Sequence, residues 1–70
     1  MNNRYAQALD RAVELSNRAM CQAATDFEPM ETRVQALEIA LKQWPEGSLR
    51  RLTLIHQVPD VYQALLAKQA

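Results

Sequence analysis

Seventy residues with eight basic and eight acidic side chains carry no formal net charge. That balance argues against a general nucleic-acid or membrane-surface binder, since both draw on surplus positive charge. A lone cysteine excludes a disulfide within the chain, and no apolar run approaches the roughly 18 residues of a membrane span.

One glycine, three prolines and eleven alanines, with few β-branched residues, point to an all-α fold, expected as a single small helical domain over residues 1–70. The opening MNNRYAQALDRAVELSNR has charges where a signal peptide needs an apolar core, and with the lone thiol this predicts a cytoplasmic protein. A domain of this size buries only about 60% of its unfolded surface. Its core therefore calls for support from a metal, a disulfide or association. Cys21 and His56, one each with scattered acids, fall short of a structural zinc pattern, so no metal and no cofactor are expected. Association is the support that remains.

Asn2 and Asn3 are suitable caps for a first helix over about 4–24. Its seam is Ala6, Leu9, Val13, Ser16, Met20, Ala23 and then Phe27, in steps of 3 and 4. A flanking line of Tyr5, Ala8, Ala12, Leu15 and Ala19 widens the apolar face beyond what one partner helix covers. Arg4, Arg11 and Arg18 recur every seven residues along one edge. They read either as a basic stripe for a partner or as a solvated edge with Glu14–Arg18 paired at i,i+4.

Residues 25–29 form a short link, with Thr25 or Asp26 as cap and Thr25 and Glu28 in capping-box spacing. The second helix runs over about 30–44, on the stripe Met30, Val34, Leu37, Leu41 and Trp44, with Pro29 before it and Pro45 after it. The short link makes the two helices an antiparallel hairpin, with Phe27 closing one end. At about 1.5 Å per residue the first helix reaches about 30 Å and the second about 22 Å, so the first overhangs the second. Glu31, Glu38 and Lys42 mark the solvent side, with Glu38–Lys42 as an i,i+4 pair.

Pro45, Glu46, Gly47 and Ser48 break the chain, and Ser48 caps a third helix over about 49–57 with Leu49, Leu52, Ile55 and His56 on one face. Val58 and Pro59 interrupt it, and Asp60 is the expected cap of a fourth helix over about 60–68, with Val61 and Leu65 inward and Tyr62 and Leu66 beside them. The expected core is Leu9, Val13, Met20, Phe27, Met30, Val34, Leu37, Leu41, Trp44, Leu52, Ile55, Val61 and Leu65. The two short helices are expected to cover the open face of the hairpin.

No catalytic set assembles from two serines, one cysteine and one histidine, and the single glycine excludes a glycine-rich phosphate loop, so no enzyme activity is expected. Trp44 reads as core, or as an anchor for a partner. Arg50 and Arg51 open the third helix against its dipole, which suggests that they touch something. The residues expected to meet a partner are Arg4, Tyr5, Arg11, Leu15, Arg18, Arg50 and Arg51. The function expected is a small protein-binding regulator of bacterial or phage type: an inhibitor, adaptor or chaperone-like subunit, acting as a homodimer. The alternative is a DNA-binding regulator using a degenerate helix-turn-helix at 49–66, which lacks the turn glycine and offers only Gln63 and Lys68 on its second helix.

Overall fold

The computed structural model describes the backbone from residue 3 and side chains from residue 4, through residue 70. The capping side chains expected at Asn2 and Asn3 lie outside the described residues. Four α-helices follow one another: α1 (Asn3–Ala23), α2 (Met30–Lys42), α3 (Leu49–Gln57) and α4 (Pro59–Gln69), with no strand among the described residues. This is the all-α architecture of a helical hairpin followed by two short helices.

The hub is α2. The longer α1 packs along it, α4 packs on its neighbouring flank, and α3 makes a smaller contact with both α2 and α4. Serving two neighbours requires a wide buried arc, and α2 buries Arg33, Val34, Ala36, Leu37, Ala40 and Leu41. Val34 and Leu41 meet the α4 side, where they share grooves with Ala64 and Leu65 respectively. Many of the buried residues of the hairpin are small: Ala36 and Ala40 on α2, and Ser16, Ala19 and Ala23 beside Met20 on α1. Small side chains let two helix backbones approach closely, and the gain is dispersion contact rather than sheer apolar area. The buried Ser16 hydroxyl donates to the Val13 carbonyl at 3.1 Å, so its polarity is satisfied locally.

The loops follow from their residues. Gly47 has φ +81°, and the Ser48 N–H donates to the Pro45 carbonyl at 3.2 Å, a turn whose third residue needs a positive φ. Ser48 then accepts the Arg51 N–H at 3.2 Å and caps α3 as expected. Between α3 and α4 only Val58 is non-helical, with φ −136°, and Pro59 takes the first position of α4.

Several expectations need correcting. Leu9, Phe27, Met30 and Leu52 are not core residues. Leu9 lies in the part of α1 beyond the end of α2. Phe27 is 90% exposed, because the end of the hairpin is closed by the Arg33 side chain instead. Met30, in the first turn of α2, stands at the edge of the α2–α4 groove. Leu52 faces water because α3 turns Leu54, Ile55 and the following Val58 inward. Val13, Trp44 and Ile55 are half-buried rather than buried. The caps also differ. Pro29 precedes α2 with no side-chain cap, and the Thr25 hydroxyl donates back to the Cys21 carbonyl at 2.7 Å. Asp60 sits inside the first turn of α4 rather than capping it. Glu38 meets Lys68 at 3.8 Å rather than Lys42.

Candidate functional site

The seven residues singled out for partner binding divide into two groups. Arg4, Arg11 and Leu15 come together with Gln7, Ala8, Ala12 and Gln43 to line a shallow groove of about 320 Å³. It runs along the α1 edge where α2 ends. Every residue from Arg4 to Arg11 is exposed, including Tyr5 at 70% and Leu9 at 44%. The cause is the stop at the end of α2: the apolar seam of α1 continues toward its start for two more turns beyond the last residue of that helix. Arg18 stands outside this groove and pairs with Glu14 at 3.0 Å as the i,i+4 spacing predicts; both side chains are largely exposed, so the pair contributes little.

Arg50 and Arg51 do a different job. The Arg51 guanidinium is half-buried and its Nη1 donates to the Leu41 carbonyl at 3.2 Å and to the Trp44 carbonyl at 3.5 Å. It thus sits at the C-terminal end of α2, where the free carbonyls and the helix dipole favour a cation. Arg50 lies over the Trp44 ring, 5.2 Å from its centroid, in a cation–π contact. The unfavourable placement at the start of α3 is therefore offset at the end of α2. What these arginines touch is their own chain. Among the described residues, the Trp44 Nε1 is buried without a hydrogen-bond partner.

The most connected polar residue escaped the sequence reading. Arg33 is only 7% exposed, its Nε donates to the Ala23 carbonyl at 2.7 Å, and its two terminal nitrogens lie 3.6 Å from Asp26 and from Asp60. One side chain thus ties the last residue of α1, the first link and the first turn of α4. A signal was present: Arg33, Ala36, Leu37, Ala40 and Trp44 form a second stripe at helical spacing, beside the one built on Met30.

Among the described residues no group of three or more His, Cys, Asp or Glu side chains could hold a metal. Cys21 and His56 are both exposed and lie on different helices. Among the described residues no helix is long and apolar enough to cross a membrane. In the segment resembling a helix-turn-helix, the link is Val58 alone, Arg51 is turned toward α2, and Lys68 faces Glu38. Comparison with protein-family models, with curated proteins and with solved structures finds no match.

Proposed function

We propose that the chain is a non-enzymatic, cytoplasmic regulator that acts by binding another protein, and that it works as a homodimer. The observation that carries the protein-binding half is the uncovered stretch of α1. An aromatic and a leucine on a helix face that elsewhere forms the core, next to a groove edged by Arg4 and Arg11, make a surface of apolar centre and basic rim. Its complement is an apolar helix face with acidic residues along one side. Binding there would extend the helical bundle along α1 where α2 stops.

The test is capture from the native host with the wild-type chain and with Tyr5→Glu/Leu9→Glu. Both residues are exposed, so the double variant is expected to melt with the wild type while losing a stoichiometrically captured protein. Equal capture by both chains would overturn the assignment of this surface. Duplex DNA titrated at low salt is expected to show no binding.

A further inference from the structure

We propose that two copies of the chain associate at the hairpin tip, the Phe27 ring of each entering the groove between α2 and α4 of the other. This rests on the homodimer half of the function proposed above and names its surface.

Phe27 is a knob. It is 90% exposed in the link between α1 and α2, and the backbone beneath it is held by the Glu28 N–H donating to the Thr25 carbonyl at 3.2 Å and by Pro29 at φ −58°. A ring presented on a constrained turn loses little freedom on docking, which favours its use as an anchor. The hole lies within one helical turn of it in sequence. Met30 and Val34 of α2 and Ala64 of α4 line a mostly apolar groove of about 290 Å³. Small-molecule sites range from about 300 to 1,000 Å³. This groove therefore has room for one large side chain and not for a length of peptide. Its α4 wall carries the small side chain of Ala64.

The occupant follows from self-complementarity. Knob and hole are carried by one chain, with Phe27 in the link that leads into the Met30 wall of the groove, and a two-fold axis between two copies can bring each knob to the other's hole. The rim carries one charge of each sign, Glu31 on the α2 wall and Lys68 on the α4 wall, and the proposed arrangement is the one that sets each Glu31 beside the partner copy's Lys68. Lys68 also meets Glu38 of its own chain, its Nζ 3.8 Å away, and with both side chains partly exposed this pair is weak enough to share the ammonium with a second carboxylate. Aromatic side chains bury about 150–250 Å² each. Two rings with matching groove walls give roughly 600–1,000 Å², below the roughly 1,200 Å² of a stable interface, so the dimer is weak and exchanges readily.

The experiment is sedimentation equilibrium of the whole chain from micromolar to millimolar concentration. Wild type is expected to shift from monomer to dimer across that range. Phe27→Ser, on an exposed residue, and Ala64→Trp, which fills the groove from within, are each expected to weaken association at least about tenfold. Circular dichroism and melting checks that each variant is folded, and Phe27→Ser stands as the test should Ala64→Trp not fold. Charge reversal adds a reading that misfolding cannot imitate. Glu31→Lys alone and Lys68→Glu alone should each weaken self-association, whereas a mixture of the two should associate, because both junctions of the mixed dimer pair opposite charges. A chain that dimerises unchanged by Phe27→Ser overturns the tip interface and leaves the homodimer standing. A wild type that stays monomeric to millimolar concentration overturns both, without touching partner capture through α1. Open-ended polymers in place of a dimer would overturn the two-fold arrangement.

Discussion

Replacing Arg33 by Met is the sharpest test of how the helices are joined. The substitution keeps a long, flexible side chain and so limits the cavity, but it removes the donor to the Ala23 carbonyl, which ends α1 on a fully buried residue. A hydrogen bond from a charged group contributes about 1.5–3 kcal/mol, and the lost donor leaves a shielded carbonyl without a partner. The two ion pairs add little, because the Asp26 and Asp60 carboxylates stand largely in water and are resolvated when the guanidinium goes. The expected loss is therefore about 2–3 kcal/mol, most of it from the single contact at 2.7 Å. For 70 residues the whole stability is on the order of 4–10 kcal/mol. A domain of this size loses about 4–8 °C of melting temperature per kcal/mol, so Arg33→Met should melt roughly 8–24 °C lower. Thermal and urea unfolding followed by circular dichroism measures it. A melting temperature within about 2 °C of wild type would show that the Arg33 contact to α1 contributes nothing. High salt separates the causes: at about 1 M the screening length is only about 3 Å. If wild type then falls to the level of the variant, the ion pairs and not the hydrogen bond hold the junction.

Leu37→Ala, at a fully buried position on the hub helix, should cost about 2–5 kcal/mol in urea unfolding; an unchanged midpoint would mean that the α2 stripe is not the core. Ser48→Ala should cost about 1 kcal/mol through the lost cap of α3, read in the same assay. Arg51→Ala should lower stability by about 1 kcal/mol, because it frees carbonyls at the end of α2, and should shift Trp44 fluorescence; Arg51→Lys should restore only part of it. Amide exchange in the free monomer should be fast over residues 6–11 of α1 and slow in α2, since local opening of the former uncovers almost no apolar surface. Equal protection of the two would mean that the α1 overhang is covered in solution.

The helices and their order were legible because proline, glycine and period-3.6 patterning agree at each boundary. The punctuation at Pro29, Pro45, Gly47 and Pro59 placed all four elements to within two residues. What periodicity could not decide was how far each seam is covered. Leu9 and Ser16 lie on one stripe of α1, yet Ser16 is buried and Leu9 is not, because burial depends on where the neighbouring helix ends. The same blindness hid the division of labour along α2. An arginine within an apolar arc reads as an irregularity until the carbonyl it serves is known, and that carbonyl lies ten residues earlier on another helix. Phe27 shows the reverse: its size and apolarity suit a core, yet Arg33 already closes the end of the hairpin and the ring stands in solvent. Of the residues expected to meet a partner, the α1 set stands on the surface, whereas Arg51 and Arg50 are engaged with α2 and Trp44.

The placement of the two uncovered features sets what a dimer would look like. Phe27 follows the C-terminal end of α1 and Tyr5 sits near its start, so a helix of about 30 Å separates the hairpin tip from the proposed partner surface. The molecule is correspondingly long, 43 × 24 × 17 Å. Joining two copies at the tip leaves both Arg4–Leu15 grooves free, one at each outer end. Such a dimer would be bivalent, and a partner presenting two sites at matching separation would be held far more tightly than one presenting a single site. Weak self-association at the tip then has a consequence for binding: dilution to monomer would remove the avidity while leaving each α1 surface intact. The two proposed surfaces would then be physically separate but linked in function, and substitution at Phe27 or at Tyr5 and Leu9 tests each without the other.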